Sequence, residues 1–143
     1  MLFGVKHIII VTAIVLSIAS CTKEATSTAT LNERIDSTTT VAKLSGSFIS
    51  GPYGTTSGKA TIYKTGSSYQ LALENFAVSN GPDLKVYISK EMQPVHFVKL
   101  GSLKSTNGNQ LYDIPASIDL TEYKYALIHC EQYNHLFGYA GLN

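Results

Sequence analysis

Residues 69–89 read Tyr-Gln-Leu-Ala-Leu-Glu-Asn-Phe-Ala-Val-Ser-Asn-Gly-Pro-Asp-Leu-Lys-Val-Tyr-Ile-Ser. Residues 69–78 and 84–89 show the alternation of side chains, and the aromatic and branched residue types, that are typical of β-strands. Between them, residues 79–83 contain Asn-Gly and Gly-Pro, which are strong turn signals. The stretch therefore predicts two strands joined by a turn.

The same pattern continues on both sides of this stretch. Gly, Pro, Asn and Ser separate short runs rich in Tyr, Ile, Val and Phe, and no long amphipathic helix pattern is present. The predicted strands are residues 46–50, 59–64, 69–78, 84–89, 96–101, 111–114, 124–130 and 136–142. Short strands at this spacing predict an all-β domain over residues 45–143, folded as an antiparallel β-sandwich or a small β-barrel with short loops.

The first 20 residues have the three-part layout of a secretory signal helix. Lys6 supplies a positive charge, residues 8–18 are apolar, and small side chains follow. This apolar run is shorter than the roughly 20 residues needed to cross a bilayer. Because Ile18-Ala19-Ser20-Cys21 resembles a bacterial lipobox, we predict that residues 1–20 are removed and that Cys21 is lipidated. The alternative is an ordinary signal peptide that leaves Cys21 as a thiol.

Residues 21–44 are predicted to be the lipidated cysteine and a disordered tether. The segment is rich in Thr and Ser and nearly lacks large apolar side chains, so it has little surface to bury. Two acyl chains hold a protein stably on a membrane. We therefore expect a domain anchored by lipid in the cell envelope, on the extracytoplasmic side. Thr22 replaces the aspartate that retains some lipoproteins at the inner membrane, which favours the outer membrane by resemblance.

The charge of the chain argues against nucleic-acid binding. The full sequence has 11 basic and 10 acidic residues, and removal of residues 1–20 takes away only Lys6. The remaining lysines are interspersed with acids, whereas a nucleic-acid binder has a basic patch or stripe. We expect no nucleic-acid partner.

Several motifs follow one another in order through the β-rich part of the chain. They are Gly58-Lys59-Ala60-Thr61-Ile62-Tyr63, Leu73-Glu74-Asn75-Phe76, the run at residues 80–89, Leu100-Gly101-Ser102-Leu103, residues 107–115, residues 123–130 and Leu136-Phe137-Gly138-Tyr139-Ala140-Gly141-Leu142. As an ordered set over residues 46–142 they resemble the DM13 domain. The resemblance implies a β-rich extracytoplasmic domain with a role in electron transfer or redox chemistry, and Cys130 stands where that family has its single cysteine. His129 departs from the aromatic residue that many members have there.

Cys130 would be the single free thiol once Cys21 is lipidated. Alternation along the strand predicts one face with Ala126, Ile128 and Cys130, and an opposite face with Tyr125, Leu127 and His129. Cys130 is then either an inert core residue or a redox residue, since free cysteine often acts as a small buried apolar group. A single thiol can form a sulfenic acid, a mixed disulfide with a partner, or a bond to a metal or haem. There is no Cys-x-x-Cys motif for thioredoxin-type exchange.

Metal binding is a further interpretation of the same region. Cys130 and His135 at the end of a β-domain, with His129 or His96 as a second nitrogen ligand, faintly resemble a blue-copper site. The expected axial methionine does not follow His135. Each histidine is better explained as a surface or packed polar residue than as a ligand.

Two functions from different classes follow from these residues. The first is a membrane-tethered module with a redox role centred on Cys130 and a possible redox protein partner; the cofactor is unknown. The alternative is a non-catalytic binding or adhesion module in which Cys130 is a buried structural thiol. A classical enzyme is not expected, because the chain has no nucleophile triad, phosphate loop or zinc ligand pair.

Overall fold

The computed structural model describes residues 25–143, so the predicted signal peptide and Cys21 lie outside the described part of the chain. Those residues form nine strands and no α-helix, which confirms the all-β prediction. The strands are β1 (Leu31–Asn32), β2 (Thr40–Ser50), β3 (Thr56–Thr65), β4 (Ser68–Val78), β5 (Leu84–Ser89), β6 (Phe97–Ser102), β7 (Asn107–Ile114), β8 (Tyr125–Cys130) and β9 (His135–Gly141). Between residues 25 and 143 there is no helix that could span a bilayer.

All nine strands belong to one sheet that curls into a half-barrel. Its order is β1-β7-β4-β3-β2-β9-β8-β5-β6. Every pair is antiparallel except β1 with β7, which is parallel, so the sheet is mixed. The prediction of an antiparallel sandwich or a small barrel is therefore corrected to a single mixed sheet that curls into a half-barrel. The short strand β1 adds to the edge strand β7 in parallel, and continuous pairing through β2 joins what would otherwise be two sheets.

Strand β2 is the corner at which the sheet turns. Residues 40–47 pair with β3, and residues 48–50 pair with β9. At the transition, Gly46 approaches the backbone of Gly141 so closely that any Cβ on Gly46 would collide with the Gly141 carbonyl. Glycine is needed there because only hydrogen lets the two backbones meet. The curl brings the inner faces of the two halves of the sheet together.

The strands at residues 69–78 and 84–89 are present as expected, but they do not pair with each other. Strand β4 lies between β3 and β7, whereas β5 lies between β8 and β6. The turn at residues 79–83 therefore carries the chain from one half of the sheet to the other. The two strands contribute to the same core cluster, in which Leu71 and Leu73 of β4 and Val86 and Ile88 of β5 are fully buried. Burying each such side chain contributes about 1.5–3 kcal/mol.

Part of the segment predicted as a tether is structured. Strand β2 begins at Thr40, and Leu31 and Asn32 pair with Gly108 and Asn109 of β7. Gly108 has a φ of 97°, and a Cβ there would collide with Leu31, so glycine permits this pairing. The disordered-tether prediction is therefore wrong for residues 25–44.

Hydrogen bonds explain why this polar segment is ordered without a large buried surface. The Glu33 carboxylate accepts hydrogen bonds from Lys104 Nζ at 2.8 Å and from the Leu111 amide at 2.7 Å, and the Ser105 hydroxyl donates to the Ala29 carbonyl. The Lys104 hydrogen bond holds the pKa of Glu33 below its ordinary value. The segment is thus held by the polar groups of β7 and its preceding loop, which a search for apolar side chains does not detect.

Candidate functional site

Cys130 is the last residue of β8 and faces the core. It pairs across the sheet with Leu84 of β5 and with His135 of β9. Its side chain is 0 % exposed and belongs to the main apolar cluster, together with Ala126 and Ile128. The prediction that these three residues share one face of the strand is confirmed, and the structure shows that this face is the inner one.

This environment is that of a structural thiol. Reactive cysteines are partly exposed and lie beside a cation, a helix N-terminus or a metal. Cys130 is a free cysteine that is closed off from solvent. In this conformation its sulfur packs as a small apolar group, so any reaction with a second protein requires local opening of the structure.

The opposite face of β8 builds a second, smaller cluster of aromatic and aliphatic side chains. Tyr87, Leu127 and Leu136 are its buried members. The ring of Tyr87 stacks on Phe97 with centroids 4.2 Å apart and planes 19° apart, and it lies 5.5 Å from the ring of His129. Tyr87 is thus held between two rings on the outer side of the sheet.

Three polar side chains, Tyr87, Lys99 and Glu131, form a hydrogen-bonded triad at the edge of this outer cluster. The Tyr87 hydroxyl donates to Glu131 Oε1 at 2.7 Å, and Lys99 Nζ donates to the same oxygen at 2.9 Å. Two main causes raise the pKa of Tyr87 well above its ordinary value: the larger is burial of the side chain, and the smaller is the hydrogen bond to Glu131. The hydrogen bond from Tyr87 and the charge of Lys99 lower the pKa of Glu131. At neutral pH Tyr87 therefore keeps its proton and Glu131 is ionised.

His129 is buried on the same outer face. It is 4 % exposed, and its Nε2 lies 3.0 Å from Asn134 Oδ1, which assigns the ring proton to Nε2 because an amide oxygen only accepts. The other nitrogen, Nδ1, is buried without a hydrogen-bond partner within residues 25–143. Burial lowers the pKa of His129, with the hydrogen bond to Asn134 opposing that shift. His129 is therefore a neutral side chain pointing away from Cys130, as alternation predicts.

His135 lies at the end of the sheet, directly across from Cys130. Its ring stacks flat on Tyr53, with centroids 3.7 Å apart and planes 2° apart, and the Tyr133 ring lies 5.9 Å away. Opposed residues on antiparallel strands have Cβ atoms about 4.5–5.5 Å apart. The register of β8 and β9 thus places His135 beside Cys130 across the turn.

The four candidate metal ligands are not brought together. Cys130 and His135 are neighbours, but His129 projects to the opposite face of β8. His96 lies in the loop between β5 and β6, where its Nδ1 is 2.7 Å from Glu91 Oε1. Within the described part of the chain, no three His, Cys, Asp or Glu side chains are arranged to hold a metal ion.

The other half of the sheet carries a polar cleft that the sequence did not indicate. Its volume is about 360 Å³, and it lies between residues 33–40 and strands β3, β4 and β7. Glu74 accepts hydrogen bonds from Thr61 at 2.7 Å and from Tyr63 at 2.7 Å, and the bond from Tyr63 raises the pKa of that tyrosine to about 12. This cleft is on the outside of the sheet, away from the core that contains Cys130.

Sequence reasoning missed the triad of Tyr87, Glu131 and Lys99. The alternation that places Tyr87 opposite the core gives a weak signal for the outer face. The partners are 12 and 44 positions away on other elements, so only the pairing of β5 with β6 and β8 brings them together.

A comparison with family models gives one match. The model described as Electron transfer DM13 matches residues 47–142, which is more than half of the chain. No curated protein matches the chain, and no solved structure does.

Proposed function

The chain belongs to the DM13 electron-transfer family, and from that membership we propose that it is an electron-transfer module of the cell envelope, anchored through a lipid on Cys21. The observation that carries the proposal is the family match, which spans nearly all of the half-barrel from residue 47 to residue 142. The proposed partner is a second redox protein. No nucleic acid is involved in this proposal, and the outer membrane is the favoured location.

The proposed anchor is supported by the N-terminal sequence. A charged residue, an apolar run too short to span a bilayer, and Ile18-Ala19-Ser20-Cys21 follow one another in the order that lipoprotein processing requires. Replacing Cys21 with serine should abolish lipid labelling and leave either an unprocessed precursor or a soluble protein. Unchanged labelling of the Cys21→Ser variant would contradict the anchor.

Cys130 is the residue that we propose to carry the redox chemistry. It lies next to the β8–β9 turn at residues 131–134, so opening of that turn would expose the sulfur without unfolding the whole core. The thiolate would then attack a disulfide of the partner protein. A bond forms between Cys130 and one partner sulfur, the partner S–S bond breaks, and the leaving sulfur receives the proton that Cys130 has lost.

A small aromatic disulfide that releases a coloured thiolate tests this proposal on the lipidated protein, in which Cys21 is blocked. The native protein should release about one equivalent of thiolate, slowly and at a rate limited by opening of the turn. The Cys130→Ala variant is the matched control and should release none. Reaction of the unaltered protein only in denaturant would contradict a redox role for Cys130.

Complete burial of Cys130 favours a second candidate function, a binding module in which the cysteine is structural. In that case the Cys130→Ala variant keeps full partner binding, and any electron transfer by the domain is unchanged. Reduction by a two-electron redox dye of the mixed disulfide between Cys130 and the aromatic thiol, which restores the Cys130 thiol and releases the aromatic thiol, separates the two candidates. The Cys130→Ala variant, which forms no mixed disulfide, is the control.

A further inference from the structure

One end of the half-barrel, which we call the loop end, consists of residues 51–55, 79–83 and 131–134. These are the connections from β2 to β3, from β4 to β5 and from β8 to β9. Backbone hydrogen bonds tie them together, from the Ser79 amide to the Thr55 carbonyl at 2.9 Å and from the Glu131 amide to the Asp83 carbonyl at 3.1 Å. The loop end is therefore one continuous surface.

The described chain starts on this surface. The Asn80 side-chain amide donates to the Thr26 carbonyl at 3.3 Å, and the Thr106 amide donates to the Ser27 carbonyl at 2.8 Å. Ala25 to Ser27 also line a cleft with residues 82–85. The first described residues are thus held against the loop end by specific contacts.

The distance along the chain from Ala25 to Cys21 is short. Four residues span at most about 14 Å even when fully extended. The strands that lead away from the loop end, such as the six residues of β5, are about 20 Å long. A lipid on Cys21 therefore brings the loop end to the bilayer surface and leaves the far end of the half-barrel away from it.

The side chains of the loop end suit a lipid headgroup region. Tyr53 and Tyr133 are 55 % and 57 % exposed, and both rings lie against His135. Tyrosine favours membrane–water interfaces because it has an apolar ring and a polar hydroxyl. The neighbouring charges are paired, Lys85 with Asp83 at 2.9 Å and Lys99 with Glu131 at 2.9 Å, so they bring no excess of negative charge to the surface.

We propose that the loop end rests on the bilayer, with Tyr53 and Tyr133 at the level of the lipid headgroups. This inference rests on the lipid anchor of the proposed function. Its consequence is that the turn covering Cys130 faces the membrane, so a partner reaching that turn must itself lie at the membrane surface. Met92 and Val95, which are exposed on the β5–β6 loop at the far end, then point away from the bilayer.

Tryptophan fluorescence provides the test, because the chain has no tryptophan. Three full-length lipidated variants, Tyr53→Trp, Tyr133→Trp and Met92→Trp, are reconstituted into vesicles of phosphatidylethanolamine and phosphatidylglycerol with nitroxide-labelled headgroups. All three positions are exposed, so the substitutions should leave the fold intact, which circular dichroism checks. We expect at least twofold stronger quenching for Tyr53→Trp and Tyr133→Trp than for Met92→Trp.

Equal quenching at both ends, stronger quenching of Met92→Trp, or no quenching at any position would overturn this orientation. The mass of the N-terminal peptide distinguishes failure of the proposed lipid anchor from failure of the proposed docking of the loop end. An unmodified Cys21 contradicts the proposed anchor and the docking with it. A lipidated Cys21 without preferential quenching at the loop end contradicts the docking alone.

Discussion

The two faces of strand β8 place neighbouring residues in different environments. The inner face carries Ile128 and Cys130 in the main apolar core, whereas the outer face carries Leu127 and His129 in a small cluster edged by polar groups. All four side chains are buried, but Cys130 lies among apolar core residues, whereas Tyr87 and His129 on the outer face make hydrogen bonds to Glu131 and Asn134. Adjacency in the sequence therefore does not make Cys130 and His129 a chemical pair.

The largest expected effect is the loss of volume on the inner face. Ile128→Ala should reduce the free energy of unfolding by about 3 kcal/mol, because it leaves a cavity in the main core. Leu127→Ala is the matched variant on the outer face and should cost about 2 kcal/mol, since the smaller cluster can collapse more easily. Urea unfolding measures both. A larger loss of unfolding free energy for Leu127→Ala than for Ile128→Ala would contradict the expectation that the inner face contributes more to stability.

A smaller effect is expected from the thiol itself. Cys130→Ser places a hydroxyl in the apolar core and should cost about 1–3 kcal/mol. Cys130→Ala, which removes the sulfur without adding a polar atom, should cost less. Thermal unfolding of the two variants provides the comparison. If serine and alanine were both tolerated without loss, the site would have to be accessible to water.

On the outer face, Tyr87→Phe removes the hydroxyl that donates to Glu131. We expect a loss of about 1 kcal/mol in the free energy of unfolding, because Lys99 still neutralises the carboxylate. Alkaline titration of tyrosine absorbance provides a second measurement. In Glu131→Gln the pKa of Tyr87 should fall towards its ordinary value, and an unchanged titration would show that Glu131 contributes nothing to the shift.

The smallest expected effect is a pH dependence from His129. Burial lowers its pKa, so the unfolded chain binds the proton more readily than the folded one. The free energy of unfolding should therefore decline as the pH falls from 7 through the ordinary histidine pKa of about 6.5. Denaturant unfolding at pH 7 and pH 5 should show this decline, and His129→Gln should reduce it. Glu131 and Glu33 have lowered pKa values and act at more acidic pH, outside this range.

Local patterns in the sequence were sufficient to predict most of the elements. The expected strands at residues 69–78 and 84–89 coincide closely with β4 and β5, and alternation correctly placed Cys130 and His129 on opposite faces of β8. Side-chain alternation is a property of the strand itself, so it can be read without knowing the neighbouring strands. For the same reason, the pattern carries no information on which strand pairs with which.

The wrong tether prediction and the missed triad at Tyr87 have the same cause, which is that both depend on contacts between residues far apart in the sequence. Residues 25–44 are polar, and their order depends on Lys104, Gly108 and the Leu111 amide, more than 60 positions further along the chain. The triad at Tyr87 likewise needs Lys99 and Glu131 from two other elements. No local composition or spacing indicates such contacts.

The sequence alone established an all-β domain, membership in the DM13 family through an ordered set of motifs, and the position of Cys130 and His129 on opposite faces of one strand. Folding settled the rest: the parallel edge strand β1, the crossing from β4 to β5, and the closed surroundings of the thiol. What the sequence reveals and what only the fold reveals differ in how far apart the interacting residues lie along the chain. Strand formation and the direction of each side chain depend on residues one or two positions apart. Strand pairing, burial and hydrogen-bonded clusters depend on groups that meet only when the sheet curls.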